Sequence, residues 1–566
     1  MNSRRTRRDI LGAAGAGLAA ATPISRALAQ STAPELVVIN ARVWTVDDRL
    51  PRAQAFAVKD SRFLAVGSND DVRSLVGKGT QVFDAQGMTI TPGFIDCHNH
   101  APGQELLYAV LVGNPYEVEF VTIDSIVDKL KARAATTPGD TWVEGYFFDD
   151  TKVKDGRQLN IHDLDRVSTT QPVAVHHRGG HTSFYNSKAL QMAGVTPATP
   201  DLPSGTYDHF PDGSLNGRVT DRARSVFVKV GARVTYSPEE TARREREGMA
   251  HISKMFVRYG VTGVCHQGGP LHAIEAIRAD GRLKHRVNYE AYDEVLEAMI
   301  RTGMTTGLGD EWLRLGATAE HTADGSFSER TMALSRPYPG RTGGYKGNVT
   351  ETQDDLDAWA LRVHRAGIQP NCHANGDVAI DHVLTAYERA QAALPVKDVR
   401  WKITHCSVVT PPLLARIKAL GVTPALFSTY SYYNSDKFHF YGEEMMEHTM
   451  PYRSMLDAGV PVCAGSDFDP GPFSPLMAIQ GMVTRTGWNG ETWGANQKIT
   501  VDEAIRVHTF NGAFDTREET IKGSISPGKL ADYVVLADDP HTVDPSKIKD
   551  IEIVRTVVGG QVSYQR

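Results

Sequence analysis

Short apolar runs recur along most of this chain, and several of them follow a helical segment that ends at a glycine. The step from helix through glycine to strand occurs at Gly260, Gly367, Gly421 and Gly459. Glycine just beyond the last helical residue is typical of a helix C-terminus. The runs that follow are largely apolar, which indicates strands buried on both faces of a parallel sheet. This repeated alternation predicts an α/β fold with a (β/α)8 barrel, in preference to an open doubly wound sheet.

The two ends of the chain have a different pattern. Apolar and polar residues alternate over 36–62 and again over 532–558, which predicts strands. We expect these ends to pair as one small β domain, formed by 35–88 and 515–566, with the barrel at 89–514. The segment at about 101–170 is too long for a plain barrel loop and predicts a lid or extra subdomain. Thr500 and Glu503 form a capping-box pattern that predicts a helix start.

Composition then excludes some function classes. The chain has 566 residues, of which 41% are hydrophobic and 23% charged, with a net charge of −6. This is ordinary globular composition without the basic excess that nucleic-acid binding requires. After the first thirty residues no apolar run approaches the roughly 18 residues of a transmembrane helix, so we expect no membrane span in the mature chain. The five cysteines lie in or beside apolar runs, without a C-x-x-C pair, and are expected to be buried thiols rather than disulfides.

The first 29 residues resemble an export signal. Arg7-Arg8 follow an earlier arginine pair, Arg4-Arg5, and precede a small apolar stretch that ends at Ala27-Leu28-Ala29. A charged region, a short apolar region and a small-residue cleavage site are the parts of a signal peptide. The paired arginines predict the twin-arginine export machinery as a partner and a periplasmic or secreted location. An ordinary Sec signal and an uncleaved anchor remain alternatives.

Metal-ligand residue types follow four of the predicted strands. His98 and His100 are separated by one residue, so in an extended chain both imidazoles point the same way. His373, His405 and Asp467 each follow a later apolar strand. Because the C-terminal ends of barrel strands meet at one face, where barrel enzymes place their chemistry, these side chains predict a shared metal site.

Imidazole and carboxylate ligands suit a divalent metal, with zinc the leading choice. Such an ion acidifies a bound water until it is hydroxide near neutral pH. A carboxylate beside that water can take its proton and pass it to a leaving group. Asp467 is the predicted catalytic residue for this task, and a helix N-cap is the alternative role for it.

Longer motifs bring a specific resemblance. The chain resembles the amidohydrolase superfamily over roughly 35–560, and within it the amidohydrolase-3 branch, the YtcJ-like proteins that include N-substituted formamide deformylase. The motifs that carry the resemblance are Gly180-His181 with Asn186-Ser187-Lys188-Ala189-Leu190, His373-Ala374-Asn375-Gly376-Asp377, Ile403-Thr404-His405, Gly465-Ser466-Asp467 and the tail Gly523 to Asp532. The resemblance implies a barrel plus a composite β-sandwich built from both chain ends. It also implies metal-dependent hydrolysis of a small molecule.

One position departs from the branch. Its members commonly carry a lysine four residues before an Asp-Gly-Ser, and that lysine, once carboxylated, bridges two metals. Here Glu320 occupies the position, four residues before Asp324-Gly325-Ser326. A glutamate can bridge two cations directly, so Glu320 is predicted as a metal ligand; a solvated surface glutamate, or Glu290 as the bridge, are the alternatives. The number of ions, one or two, stays open.

The predicted activity is hydrolysis of a non-peptide C–N bond, an amide or formamide-like carbonyl. The same site could also act on a cyclic amide, carbamate or ester, or deaminate a ring, and a metal-binding protein without turnover is the rival of another class. His181, after the glycine pair, and Tyr430, at the predicted barrel mouth, are candidate substrate contacts. The sequence leaves the oligomeric state open, including a homo-oligomer.

Overall fold

A computed structural model of the protein describes residues 33–202 and 204–566. The signal peptide predicted at 1–29 lies outside these described residues, so it stays a prediction. Within them, no helix combines the length and the hydrophobicity needed to cross a bilayer.

Two sheets pack together near the chain ends. The strands and helix of the N-terminal part are β1 (Leu36–Ile39), β2 (Arg42–Trp44), β3 (Arg52–Ala53), β4 (Ala55–Lys59), β5 (Arg62–Gly67), α1 (Asn69–Arg73), β6 (Gln81–Asp84) and β7 (Thr89–Pro92). One sheet has the order β5-β4-β1-β6. In the other, β7 pairs with a strand from the C-terminal end of the chain on one side and with β2 on the other, so both ends share one sheet, as expected from the pattern at both termini. Residues such as Phe56, Ile90 and Tyr533 form an apolar core with strands of both sheets.

An inserted region follows the first barrel strand. Its elements, with the flanking strand and helix, are β8 (Phe94–Asn99), α2 (Gly103–Tyr108), β9 (Val110–Leu111), α3 (Ile123–Ala134), β10 (Val143–Phe148), α4 (Ile161–Asp165), β11 (Val173–His177), β12 (Thr182–Tyr185), α5 (Ser187–Ala193), β13 (Tyr207–His209), β14 (Leu215–Thr220), α6 (Ser225–Val228) and α7 (Pro238–Arg258). Strands β9 to β14 form a six-stranded sheet of order β13-β14-β12-β11-β10-β9. The sheet therefore continues past residue 170, beyond the insertion at about 101–170, because its antiparallel strands β12 to β14 come later in the chain. The domain limits themselves stay predictions.

The rest of the chain alternates strands and helices. The elements are β15 (Val261–Gln267), α8 (Leu271–Ala279), β16 (Arg286–Ala291), α9 (Asp293–Thr302), β17 (Leu313–Thr318), β18 (His321–Thr322), α10 (Gln353–Arg365), β19 (Asn371–Ala374), α11 (Asp377–Ala393), β20 (Lys402–His405), α12 (Pro411–Leu420), β21 (Thr423–Phe427), α13 (Tyr430–Tyr433), α14 (Glu443–Met446), α15 (Tyr452–Ala458), β22 (Cys463–Gly465), α16 (Pro475–Thr484), α17 (Val501–Val507), α18 (Phe510–Asp515), β23 (Tyr533–Leu536), β24 (Ile553–Val558) and β25 (Gln561–Gln565). Short 3₁₀ helices lie at Asp221–Arg224, Thr342–Gly344, Ser435–Phe440, Ala495–Gln497 and Pro545–Asp550.

Parallel strands form the predicted (β/α)8 barrel. They lie in two sheets, β17-β16-β15-β8 and β18-β19-β20-β21-β22. The two-residue strand β18 follows β17 directly in the chain. At one junction the Thr318 N–H donates to the carbonyl of Gln369, and at the other the Asp467 N–H donates to that of His98, both at 2.9 Å. The four glycines that follow helices all have φ between 70° and 80°, the left-handed conformation that glycine adopts without strain.

Two smaller expectations can be compared with the fold. Thr500 caps α17 with Glu503 in a capping box, as predicted, and α17 ends at Val507 before a second short helix, α18, begins. The five cysteines are all buried free thiols, also as predicted.

A buried ion pair attaches the β-sandwich to the barrel. Asp532, just before β23, accepts two hydrogen bonds from the Arg286 guanidinium on β16, at 2.7 and 2.9 Å. The Gly559 N–H donates to the same carboxylate at 2.7 Å. Arg286 is 2% exposed and Asp532 7%, so both charges depend on each other for compensation. This contact gives the last aspartate of the C-terminal motif a structural role.

We therefore expect Asp532→Asn to lower stability by about 3–5 kcal/mol, because it leaves the Arg286 charge buried without a counter-charge. The measurement is the melting temperature of the purified protein. Asp538→Asn, an exposed aspartate six residues further along, is the matched control. Equal melting temperatures for the two variants would show that the pair does not secure the interface.

Candidate metal centre

Five strand ends place the predicted ligands at one end of the barrel. His98 lies in β8 and His100 directly follows it, while His373 lies in β19 and His405 ends β20. Glu320 lies between β17 and β18, and Asp467 follows β22. All of these strands run parallel, so their C-terminal ends meet at the same face.

Asp467 brings the first pair of histidines together. Its Oδ1 lies 3.2 Å from Nε2 of His98 and 3.1 Å from Nε2 of His100. These three ligand atoms form one of the groups in the described residues that are compact enough to hold a metal ion. Asp467 has a φ of 53°, a left-handed conformation that is costly for a residue with a side chain and is typical of functional sites.

Glu320 lies between this group and the second pair of histidines. Its Oε2 is 3.5 Å from Nε2 of His98, 3.3 Å from Nε2 of His405 and 3.4 Å from Nδ1 of His373. Its Oε1 is 3.7 Å from Nε2 of His100. The two carboxylate oxygens thus face both halves of the cluster, which is the arrangement that a bridging ligand needs.

The donor set fits a divalent cation. Both ring nitrogens of His98 and Oε2 of Glu320 are buried without a hydrogen-bond partner among the described residues. Unpaired buried polar atoms are costly unless something absent from the protein chain satisfies them. Nε2 of His373 donates to the carbonyl of Gly325 at 3.1 Å, so in the neutral ring Nδ1, on the side of Glu320, carries the lone pair that a metal would use. Imidazole nitrogens and carboxylate oxygens are zinc-type ligands.

The pKa shifts of Glu320 and His98 show that charged groups lie close together in this cluster. Burial alone would raise the pKa of the Glu320 carboxyl, but the imidazoles of His98, His373 and His405 have the larger, opposite effect. The pKa of Glu320 is therefore well below its usual range. Burial lowers the pKa of His98, while the charges of Glu320 and Asp467 raise it well above its usual value. Without a metal, protons on the imidazoles compensate the two buried carboxylates. A metal ion would take the place of those protons.

A cavity of about 490 Å3 opens above the cluster. His100, Glu320, His373, His405 and Asp467 line its floor, and its size is within the range of small-molecule sites. The other side chains on its wall include Arg178, His181, Tyr292, Phe427 and Asp469.

Comparison with known proteins gives the family. A sequence model of the amidohydrolase family matches residues 81–564. The chain belongs to the amidohydrolase family. It is 26% identical to N-substituted formamide deformylase of Arthrobacter pascens over 94% of this chain and 98% of that protein. It is also 26% identical to the putative amidohydrolase YtcJ of Bacillus subtilis (strain 168), over 93% of this chain and 98% of the relative.

A solved structure agrees with the fold. The crystal structure of an uncharacterized metal-dependent hydrolase from Pyrococcus horikoshii OT3 has a TM-score of 0.69 to this amidohydrolase, at 20% identity. The match covers 90% of this chain and 99% of that chain. The resemblance to the amidohydrolase-3 branch is thereby confirmed, as are the fold class and the identification of the chain as a metal-dependent hydrolase.

The other predicted residues of this amidohydrolase lie in different places. His181 lies on the cavity wall, with its ring centroid 5.2 Å from that of His373. Tyr430 is buried, and its ring stacks on Phe427, which itself lines the cavity and stacks on His405. The structure thus brings Phe427, rather than Tyr430, to the wall. His321, the neighbour of Glu320 in sequence and not a predicted ligand, stacks on Trp359, and its Nε2 lies 2.6 Å from Oε1 of Glu351.

Glu290, the alternative to Glu320, lies next to Nδ1 of His98, whereas Glu320 lies next to Nε2. Its Oε2 lies 3.9 Å from Nδ1 of His98, and its Oε1 lies 2.6 Å from the ammonium group of Lys402. Lys402 also donates to the carbonyl of Cys97, next to His98. A carboxylate behind a metal-ligating histidine orients the ring and increases its basicity. Sequence reasoning missed Lys402, and its one signal was a charged residue inside an apolar strand.

Asp96 is a second support that the sequence did not reveal. It is buried and accepts hydrogen bonds from the N–H of Ser466 at 2.8 Å, the hydroxyl of Ser466 at 2.6 Å and the amide of Asn99 at 2.9 Å. These bonds join β8 to the segment after β22. The distance between the His98–His100 pair and Asp467 therefore depends on Asp96.

We expect Lys402→Met to weaken metal binding by about 10–100-fold, the usual effect of removing a group behind the ligands. The reason is that the hydrogen bond from Lys402 to the carbonyl of Cys97, next to His98, is lost and that Glu290 loses its counter-charge. Metal affinity is measured by competition with a chelator, and Lys418→Met, an exposed lysine of α12, is the control.

The double variant Glu290→Gln with Lys402→Met removes both members of this pair, so Glu290 is not left as an uncompensated buried charge. We expect it to fold and still to bind metal more weakly than the wild-type protein. Wild-type affinity in both Lys402 variants would contradict this role.

Proposed function

We propose that this amidohydrolase hydrolyses a non-peptide C–N bond in a small molecule, an amide or formamide-like carbonyl. The residues that would hold a divalent metal, zinc in this proposal and one or two ions, are His98, His100, Glu320, His373, His405 and Asp467. The position of Glu320 carries the proposal, because one carboxylate lies within 3.7 Å of four imidazoles on three strands. The relation to N-substituted formamide deformylase supports the choice of a formamide-like substrate.

Each group of the chain has a chemical task in this reaction. When bound in the cluster, a divalent ion would supply Lewis acidity toward a water and a carbonyl oxygen. Asp467 accepts the proton of the attacking water and delivers it to the departing nitrogen. Its Oδ1 is already directed at the cluster, and its side chain is only 8% exposed, so bulk water does not compete strongly for that proton.

Asp467→Asn tests the proton transfer. We expect kcat to fall by about 10²–10⁴-fold, the contribution of a positioned general base, because an amide cannot take the proton of water. Metal content, measured by elemental analysis, is expected to stay nearly unchanged. The assay is hydrolysis of chromogenic anilides by the zinc-loaded protein.

Asp212→Asn, an exposed aspartate in the turn between β13 and β14, is the control for this experiment. Unchanged kcat in Asp467→Asn would remove Asp467 from the mechanism. Stoichiometric zinc together with no hydrolysis of any anilide, formamide or ester would contradict the proposed reaction.

We also propose that the protein is exported in the folded state by the twin-arginine route, on the basis of residues 1–29. Replacing Arg7 and Arg8 by lysine is expected to leave the protein in the cytoplasm, since the machinery recognises the arginine pair. Replacing Arg4 and Arg5 in the same way is the matched control. Fractionation of producing cells gives the answer, and export of both variants would contradict the proposal.

A further inference from the structure

His181 reaches the metal centre from the inserted sheet rather than from the barrel. It follows Gly179-Gly180 and directly precedes β12, and its backbone N–H donates to Glu329 at 2.9 Å. Its ring centroid is 5.2 Å from that of His373, a candidate ligand. A substrate that is bound with its carbonyl over the metal cluster would therefore lie next to the His181 ring.

Asp221 fixes the orientation of the His181 ring. Its Oδ1 lies 2.8 Å from Nδ1 of His181, and its Oδ2 accepts a hydrogen bond of 2.5 Å from the amide of Asn348. The Asp221 N–H also donates to the His181 carbonyl at 2.7 Å. Asp221 has a φ of 43°, so the backbone is held in a costly conformation at the residue that orients the ring.

This contact decides which nitrogen of His181 carries the hydrogen. A carboxylate only accepts hydrogen bonds, so Nδ1 is the donor to Asp221. In the neutral imidazole Nε2 then carries a lone pair. Within the described part of the chain Nε2 has no hydrogen-bond partner and is not among the buried polar atoms, so it is open to the cavity that His181 lines.

We propose that Nε2 of His181 accepts a hydrogen bond from the N–H of the bond to be cleaved, with Asp221 as the positioning residue that keeps this nitrogen an acceptor. The inference rests on the proposed hydrolysis of a C–N bond and narrows its substrate class. An N-monosubstituted amide carries the required N–H, whereas an N,N-disubstituted amide and an ester do not. His181 therefore selects secondary amides.

Matched substrates test the selection. Formanilide, N-methylformanilide and phenyl formate share a leaving-group ring and differ in the N–H, and their acetyl analogues repeat the series. We expect His181→Asn to lower kcat/KM for formanilide by about 10-fold, the typical effect of one lost hydrogen bond. For the other two substrates the change is expected to stay below about 2-fold, because they never made that bond.

Asp221→Asn gives a sharper test, because it keeps the size of the side chain. Its amide can donate to Nδ1 of His181, which moves the ring hydrogen to Nε2 and turns the acceptor into a donor. The preference for formanilide over the ester is then expected to fall by about 10-fold. Asp212→Asn, on the same inserted sheet, should leave the preference unchanged.

Nitrogen NMR of the zinc-loaded protein with 15N-labelled histidine provides a readout that does not depend on turnover. The signals of His181 are assigned by their loss in His181→Asn. We expect a pyridine-type Nε2 in the wild-type protein and a pyrrole-type Nε2 in Asp221→Asn. Acetanilide should shift the wild-type Nε2 signal, and N-methylacetanilide should not.

Two results would overturn the inference. One is a pyrrole-type Nε2 in the wild-type protein, and the other is an equal loss of kcat/KM for all three substrates in His181→Asn. Failure of the proposed function has a different signature, since no substrate of the series would then be hydrolysed. The NMR titration with acetanilide would still decide whether His181 accepts from an amide N–H.

Discussion

The structure of the site depends on one electrostatic constraint, which is that two carboxylates are buried among four imidazoles. Glu320 and Asp467 are each about a tenth exposed or less, and their oxygens lie within 4 Å of ring nitrogens on β8, β19 and β20. Buried charges of this kind need compensation by positive charge at short range. Protons on the imidazoles can provide it when no metal is bound, and a divalent cation would take the place of those protons. The side chains of this cluster are therefore candidate ligands of a divalent cation.

The fold holds this arrangement by rigid contacts at some distance from it. Asp96 ties the first barrel strand to the segment that carries Asp467, and the Glu290–Lys402 pair lies behind His98. The buried Arg286–Asp532 pair then joins the barrel to the β-sandwich. In an interior of low dielectric constant, such paired charges have few alternative positions, so they specify geometry more than they add stability.

Much of this could be predicted from the sequence, because the relevant signals are local. A glycine after a helix, an apolar run and a histidine at the end of the run lie within a few residues, so periodicity predicts the barrel and the candidate histidine ligands, whereas Glu320 came from the resemblance to the branch. Contacts between distant segments carry no such signal. Lys402 meets Glu290 across 112 positions, and Asp221 meets Asn348 across 127. Likewise, the sequence does not show that Phe427 lines the cavity while Tyr430 stacks behind it, because this depends on how the two rings pack. The strands of the inserted sheet also lack the regular spacing that makes the barrel strands recognisable.

Glu320 lies between the two pairs of candidate histidine ligands, and the proposed site depends on it. Zinc-edge anomalous diffraction from crystals of the zinc-loaded protein is the most direct test of whether Glu320 and these histidines hold zinc. We expect two anomalous peaks on either side of the Glu320 carboxylate, one against His98, His100 and Asp467 and the other against His373 and His405. Peaks that Glu320 does not contact, or no zinc within coordination distance of these histidines, would contradict the proposed site.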